Sequence, residues 1–183
     1  MIVNHCLTIC HAASVLSEAD AGGMVGVMET KLDNKLIVVA GGAGKLGRLL
    51  VDALLANPSA RVRVLVRDPS RPDVASLAGD RVELVAFDAL GASDAERAAA
   101  VRGAYAVVST LQGGPDVIVD GQLALLRAAK AAGARRFILS DYSYNIFDLP
   151  EGVNVNSDWR RALARAAATE VTGSFEVVHV LQG

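Results

Sequence analysis

Short apolar runs alternate with amphipathic stretches along the chain from residue 35 onward. The first run, Leu36–Ala40, is rich in β-branched residues and is followed by glycine, which predicts a buried strand. Leucine and alanine then recur every three or four residues as far as Asn57, which predicts a helix that ends at the following proline. The same alternation predicts further strands at 61–67, 82–87, 104–109, 136–140 and 175–181, and further helices at 93–101, 116–132 and 158–168. Ser93 and Glu96, three residues apart, form a capping-box pattern at the start of the helix at 93–101.

Strands that alternate with helices form βαβ units, whose right-handed crossovers produce a parallel sheet with helices on both faces. The chain is therefore predicted to have an α/β fold of the Rossmann type, a doubly wound parallel sheet in three α/β/α layers. The expected strand order is 3-2-1-4-5-6. We expect one NAD(P)-binding Rossmann domain over residues 35–183, preceded by a disordered extension over residues 1–34, which do not fit this pattern.

Three glycines follow the first strand at a spacing of three, namely Gly41, Gly44 and Gly47, with Gly42 beside the first. In dinucleotide-binding folds the first glycine permits a tight turn and the second lets the backbone approach a pyrophosphate. The third lets helix and strand pack closely, and the helix N-terminus is aimed at the phosphates. The alternative is a glycine-rich turn that serves only to reverse the chain.

The two residues between the second and third glycines separate this motif from a P-loop. Lys45 follows Gly44, but Leu46 stands where a magnesium-binding Ser or Thr is required. With a P-loop excluded, the motif is interpreted as a dinucleotide-binding turn. Lys45 and Leu46, which lie within it, are predicted to contact a nicotinamide dinucleotide together with the four glycines.

The residues after the next strands indicate which dinucleotide binds, because ligands lie at the carboxyl ends of such strands. Arg67 follows the second strand, where an arginine accommodates the 2′-phosphate of NADP(H), so NADP(H) is expected rather than NAD(H). Asp68 is the competing carboxylate, or else a turn former. Asp88 follows the third strand and is predicted to reach the adenine, unless it too only forms a turn. Thr110 and Leu111 follow the fourth strand and are expected along the pyrophosphate or the nicotinamide ribose.

Polar residues also follow the fifth strand, close to the expected place of a nicotinamide ring. Ser140, Asp141 and Tyr142 stand there, and the serine with the tyrosine could donate protons to a carbonyl or could simply suit a polar loop. Neither Tyr142 nor Tyr144 is followed by a lysine four residues later, so the Tyr-x-x-x-Lys pair of many short-chain reductases is absent. The catalytic residues are therefore not identified.

Composition excludes several other classes of protein. The net charge of −2 over 183 residues favours neither nucleic acid nor an anionic membrane as a partner. No apolar run approaches the roughly 20 residues that span a bilayer. The two cysteines, Cys6 and Cys10, do not make a disulfide framework, and with His5 and His11 they lack zinc-finger spacing, so no metal site is predicted. We expect a cytoplasmic protein.

Four segments together resemble the NmrA-like family, an atypical short-chain dehydrogenase group that includes isoflavone reductase-like and aromatic alcohol reductase-like proteins. They are GGAGKLG at 41–47, LVR at 65–67, RFILSDY at 136–142 and LPEGVNVNSDWRR at 149–161. The resemblance implies an NADP-binding Rossmann domain with a smaller C-terminal substrate region. Some members reduce phenylpropanoid-type substrates, and others act as redox-sensing regulators without turnover.

The chain departs from the family pattern in two places. Isoflavone reductase-like enzymes carry a lysine near the position of Asn156, and members typically continue for another hundred-odd residues beyond the last strand, so a truncated form or fragment is expected. The resemblance implies an NADP(H)-dependent oxidoreductase, or its cofactor-binding portion, that reduces a carbonyl or conjugated small aromatic substrate. The alternative is a non-catalytic NAD(P) sensor that controls a protein partner.

Overall fold

A computed structural model describes residues 34–182 of the chain. The strands are β1 (Leu36–Ala40), β2 (Arg61–Val66), β3 (Val82–Ala86), β4 (Ala106–Ser109), β5 (Arg136–Ile138), β6 (Ser143–Tyr144), β7 (Glu176–Val178) and β8 (Leu181–Gln182). The helices are α1 (Lys45–Leu55), α2 (Pro72–Ala75), α3 (Asp94–Val101), α4 (Gln122–Ala131) and α5 (Val155–Ala168), and a π-helical segment, Asp116–Gly121, directly precedes α4.

Six strands form one parallel sheet in the order β3-β2-β1-β4-β5-β7. The predicted Rossmann-type fold and its strand order are thereby confirmed, with β7 in the sixth place. β1 lies at the centre and pairs with β2 on one side and β4 on the other. The direction of winding reverses between β1 and β4, and this is where the crevice of such a sheet opens.

The two faces of the sheet are covered by separate apolar layers. Along β1, Val38 and Ala40 pack toward α3, α4 and α5, whereas Ile37 and Val39 pack toward α1 and α2. All four side chains are fully buried. The alternation of a strand thus places apolar residues on both faces, as expected for a parallel sheet enclosed between helices.

The helix predicted over 116–132 begins with a π-helical turn that the sequence pattern did not reveal. Within it the Gln122 amide bonds the Val117 carbonyl, five residues back, instead of the Ile118 carbonyl. The Gln122 side chain donates to the Ile118 oxygen at 3.1 Å and so replaces the missing backbone bond. The wider turn brings the same side-chain amide to Ser140, at the end of β5.

Other predicted elements differ mainly at their boundaries. The loop predicted over 141–156 contains β6, which pairs with β8, and the strand predicted over 175–181 is divided into β7 and β8. α5 begins at Val155 because the Asn154 side chain accepts hydrogen bonds from the second and third residues of the helix. The capping box predicted at Ser93 and Glu96 is present at the start of α3.

The extension predicted over residues 1–34 falls almost wholly outside the described residues, and Asn34 itself donates its amide to the Ser59 carbonyl. Among residues 34–182, none of the helices combines the length and the apolar composition needed to cross a bilayer.

Candidate functional site

The glycine turn after β1 has a conformation that its first and third glycines make possible. Gly41 has φ of +79°, and its amide donates to the Leu65 carbonyl on β2. A Cβ on Gly47 would stand 2.5 Å from both the Gly41 oxygen and the Gly42 Cα. Helix α1 therefore packs directly against the turn, as predicted for the third glycine of the motif.

The second glycine is exposed at the cleft and is much less crowded than Gly47. A Cβ on Gly44 would have only the Gly41 oxygen nearby, at 3.3 Å. Gly44 also caps α1 without any side-chain hydrogen bond, so no cap side chain uses the first amides of the helix. Gly42 differs, because its missing side chain would meet Val64 on β2 at 2.6 Å, so this glycine faces the sheet.

The turn forms one wall of a cleft of about 1370 Å³ along the carboxyl ends of β1 to β5. Every predicted site residue lines this cleft except Gly42, which lies beneath the turn. These lining residues are Gly41, Gly44, Lys45, Leu46, Gly47, Arg67, Asp88, Thr110 and Leu111.

Two of the cationic groups at the cleft are free to meet an anion. Arg67 and Lys45 are exposed, and within residues 34–182 neither side chain makes a hydrogen bond or an ion pair. Arg48 is instead held in place by the Ala43 carbonyl at 2.9 Å and the Asp73 carbonyl at 2.6 Å.

The competing carboxylate after β2 is engaged in a turn. Asp68 accepts hydrogen bonds from the Ser70 hydroxyl at 2.6 Å and the Ser70 amide at 2.9 Å. These bonds lower the pKa of the Asp68 carboxyl below its ordinary value. Its geometry is that of the turn-forming alternative.

Three further predicted residues have their own contacts within the fold. The Thr110 hydroxyl donates to the Ala40 carbonyl at 2.8 Å, which ties the end of β4 to the end of β1. Asp88 accepts from the Leu90 amide at 3.2 Å, a turn bond that leaves its second oxygen unused. Leu111 packs against the apolar core beside the cleft.

Two arginines that line the cleft were not among the predicted site residues. Arg71 lies at the rim, where Nε and Nη2 bond the two Asp73 carboxylate oxygens at 3.2 and 3.0 Å. Arg160 reaches the β5 end of the cleft from α5, where it donates to the Ser140 and Asn156 carbonyls. Arg71 directly precedes α2 and Arg160 lies on α5, so only the folded chain brings them to the cleft.

Ser140 and Tyr142, the sequence candidates for proton donation, are held in structural positions. Ser140 is 4% exposed and makes two hydrogen bonds with the Gln122 side chain. The side-chain amide nitrogen donates to the Ser140 hydroxyl at 2.7 Å, and the Ser140 backbone amide donates to the side-chain oxygen at 3.2 Å. The Tyr142 hydroxyl is buried and unpaired within the described chain, and burial together with the neighbouring Asp141 carboxylate raises its pKa. A raised pKa makes the phenol a poorer acid at neutral pH.

A carboxylate–imidazole pair lies beside them. Asp141 is 2% exposed, and its Oδ2 contacts the His179 Nδ1 at 2.5 Å. The His179 ring packs edge-to-face on Phe147, with centroids 5.5 Å apart. The contact joins residues that follow β5 and β7, and a separation of 38 positions explains why no local signal indicated it.

A second cavity of about 470 Å³ adjoins the β5 end of the cleft. The two share a wall formed by Gln112, Asp141, Tyr142 and Arg160. Polar side chains from β6 and the first turns of α5 form the rest of the wall, including Tyr144, Asn154, Asn156 and Ser157. Among residues 34–182, no cluster of three or more His, Cys, Asp or Glu side chains is arranged to hold a metal ion.

The parallel sheet, the glycine turn and the cleft at the reversal of strand order define a Rossmann-type protein with a nucleotide-sized crevice. Within that class the chain belongs to the NmrA-like family, whose pattern it matches over residues 33–147.

A curated relative is the NmrA-like family domain-containing oxidoreductase lnaB of Aspergillus flavus, which is 30% identical over 117 residues, 59% of this chain and 34% of the relative. Among solved structures, an NADPH-dependent quinone oxidoreductase of Escherichia coli complexed with NADPH superposes with a TM-score of 0.64 at 19% identity, over 80% of this chain and 48% of that one. NmrA, a negative transcriptional regulator, superposes with a TM-score of 0.65 at 17% identity, over 80% and 45%. The chain thus spans about a third to a half of these relatives.

Proposed function

We propose that the protein binds NADP(H) and is an oxidoreductase, or the cofactor-binding portion of one, that reduces a carbonyl or conjugated small molecule. Membership in the NmrA-like family and the likeness to an oxidoreductase of that family support the reaction class. The shape and charge of the cleft support the cofactor. A bound nicotinamide dinucleotide would supply the hydride for such a reduction.

The residues of the cleft fit a dinucleotide along its length. At the glycine turn, Gly44 leaves room for a pyrophosphate against the uncapped N-terminus of α1. Asp88 would lie at the adenine side, where its Oδ2, which makes no hydrogen bond within residues 34–182, could accept from an amino group. Thr110 and Leu111 form the wall toward the nicotinamide end.

The observation that carries the preference for NADP(H) is the contrast between Arg67 and Asp68. Arg67 is exposed at the end of β2 and has no partner within residues 34–182. Asp68, which in an NAD-binding protein would accept the ribose hydroxyls, already accepts two hydrogen bonds from Ser70 on Oδ1, which leaves only Oδ2 for a ribose. A 2′-phosphate would meet a guanidinium able to bond it in bidentate fashion.

Replacing this guanidinium tests the preference. Arg67→Asp is expected to weaken NADPH binding by about 1.5–3 kcal/mol, roughly 10- to 150-fold in Kd, through loss of a charge-assisted hydrogen bond. NADH binding should be unchanged or improved. Fluorescence titration of the nicotinamide measures both constants.

Arg61→Asp is the matched control, because Arg61 begins the same strand at the end away from the cleft and the variant makes the same change of charge. Equal NADPH constants for wild type and Arg67→Asp would remove Arg67 as the phosphate reader and leave Lys45 as the next candidate. NADPH binding without oxidation by any carbonyl compound or quinone would favour the non-catalytic sensor.

A further inference from the structure

The second cavity contains a hydroxyl pair that neither the family pattern nor the glycine motif assigns. The Tyr144 hydroxyl and the Ser157 Oγ are 2.6 Å apart, and both residues line the cavity. Tyr144 is 41% exposed and Ser157 is 4% exposed, so the phenol reaches open space while the serine supports it from the protein side.

Two elements of regular structure position the pair. Tyr144 belongs to β6, which is held by its pairing with β8. Ser157 lies in the first turn of α5, where its amide bonds the Asn154 cap. Arg160 follows three residues later on the same helix face and lines both the cavity and the cleft.

The chemistry of the walls indicates what the cavity can hold. Most ligand pockets are lined mainly by apolar side chains, with a few polar groups for orientation. Here hydroxyl, amide, carboxylate and guanidinium groups predominate. The Gln112 and Asn156 side-chain amides make no hydrogen bond within residues 34–182. An aromatic ring packed against them would leave them desolvated and unbonded, whereas a small hydroxylated or otherwise hydrophilic molecule could bond them.

We propose that this cavity is the substrate subsite, that it takes small hydrophilic carbonyl compounds, and that Tyr144 with Ser157 supplies the proton for their reduction. The inference rests on the proposed function, because it requires a reduced nicotinamide in the adjoining cleft to supply hydride to the carbonyl carbon. It replaces the small aromatic substrate expected from the family resemblance by a hydrophilic one.

The proton balance assigns a role to each residue. As the carbonyl carbon gains hydride, its oxygen takes the electron pair of the C=O π bond and requires one proton. The Tyr144 O–H bond breaks to provide it, and the new O–H bond completes the product alcohol. The Ser157 hydroxyl donates to the phenolate left on Tyr144, which regains its proton from water. The Arg160 guanidinium stabilises the negative charge on both oxygens.

Removal of one oxygen atom tests this role. Tyr144→Phe keeps the ring at an exposed position, so the fold should be retained. With NADPH and glyceraldehyde or hydroxyacetone as probes, kcat is expected to fall about 100-fold or more, while Kd for NADPH stays within about twofold. Ser157→Ala should lower kcat less, because the phenol remains.

Tyr105→Phe is the matched control. Tyr105 lies outside both cavities, where its ring faces the Lys35 ammonium at 3.9 Å, a contact that phenylalanine retains. This variant should have wild-type kcat and NADPH affinity.

A binding measurement adds a readout independent of turnover. In the protein saturated with NADP⁺, which cannot react with a carbonyl, hydroxyacetone should raise Tm through a dead-end complex, and benzaldehyde should raise it less. The hydroxyacetone shift should shrink in Tyr144→Phe and persist in Tyr105→Phe.

Different results would overturn the proposed function and the inference about the second cavity. Absence of NADPH binding would overturn the proposed function and this inference with it. If NADPH binds, any of three results would overturn the inference alone. These are an unchanged kcat in Tyr144→Phe, a preference for benzaldehyde, and no response to any of the three carbonyl probes.

Discussion

The glycine-loop region, residues 36–66, and the C-terminal region, residues 136–182, are held together by different interactions. In the first, β1 and β2 pair over five residues and α1 packs an apolar face against them. In the second, β5 pairs over three residues on each side, and β6 and β8 pair over two. Much of the second region is organised by charged side chains that bond distant backbone carbonyls.

Arg161 illustrates how the C-terminal region is built. It is 5% exposed, and its guanidinium donates to the Ile146 carbonyl at 2.6 Å and the Leu149 carbonyl at 2.8 Å while it pairs with Asp158. A single side chain on α5 thereby shapes the loop after β6. Short-range patterning is sufficient for the glycine-loop region, whereas the cavity wall requires specific long-range polar contacts.

The largest effect is expected from filling the glycine turn. Gly47→Val would place a Cβ about 2.5 Å from two backbone atoms, and neither can move without displacing the turn. We expect a loss of at least about 3 kcal/mol in the free energy of unfolding, together with loss of dinucleotide binding. Urea denaturation measures the first and NADPH titration the second.

Gly44→Val is the matched control for this substitution. Its Cβ faces the cleft with one neighbour at 3.3 Å, so the free energy of unfolding should change little while NADPH binding is lost. If Gly44→Val and Gly47→Val lower the free energy of unfolding equally, Gly44 is required for the structure of the turn in the same way as Gly47 and is not a separate binding position.

A smaller effect is expected from Arg161→Met, which removes the guanidinium from the C-terminal region. Several carbonyls lose their donor and Asp158 loses its partner, although a carboxylate whose side chain is 27% exposed can still be hydrated. We expect a loss of about 2 kcal/mol, with NADPH affinity retained, because the glycine-loop region is untouched.

Arg165→Met on the same helix provides the comparison. Arg165 pairs with Glu151 at the surface, where both side chains are more than half exposed, and such pairs contribute about 0–1 kcal/mol. If the two methionine variants unfold at the same urea concentration, the carbonyl bonds of Arg161 do not stabilise the loop.

The smallest effect concerns pH. Glu170 follows α5 and joins it to α4 through hydrogen bonds from Arg127 and Lys130, which lower the pKa of its carboxyl below 4.5. A depressed pKa contributes stability above the unfolded-state value and loses it as pH falls through the lower folded-state value. Glu170→Gln should therefore flatten the acid limb of the stability profile below about pH 4.5, with little change in its slope near pH 7.

Thermal melts from pH 3 to pH 7 on the Glu170→Gln variant and wild type measure this difference. Glu176→Gln tests an ion pair with Arg136 across neighbouring strands and serves as a comparison. If Tm falls equally with decreasing pH in wild type and in Glu170→Gln, the junction of α4 and α5 does not depend on this carboxylate.

The sequence was most informative at positions where a single physical requirement selects the residue type. The three spaced glycines indicated the turn and its cleft, because glycine adopts the positive φ of Gly41 without strain and, having no Cβ, permits the close approach at Gly47. The Ser93 capping box indicated the start of α3 to the residue. The apolar alternation of the second strand ends at Arg67, which indicated that this residue lies at the carboxyl end of β2. In the structure Arg67 lines the cleft.

Features that depend on two distant segments could not be found in this way. Gln122 reaches Ser140 only because the π-helical turn shifts the helix, and a hydrophobic period does not distinguish an α turn from a π turn. Asp141 and His179 meet only because β5 and β7 are neighbours in the sheet. Taken alone, none of these residues has a local sequence feature that indicates its partner.

The sequence by itself determined the order of strands and helices, the sheet they form and the location of the glycine turn. These follow from apolar periodicity and backbone sterics, which act over a few residues and are repeated along the chain. Only the tertiary structure decided which polar side chains line the second cavity. Tyr144 and Ser157 are brought together by strand pairing and by the packing of α5, and such contacts depend on the whole fold, because no local energy distinguishes them from solvent-exposed alternatives.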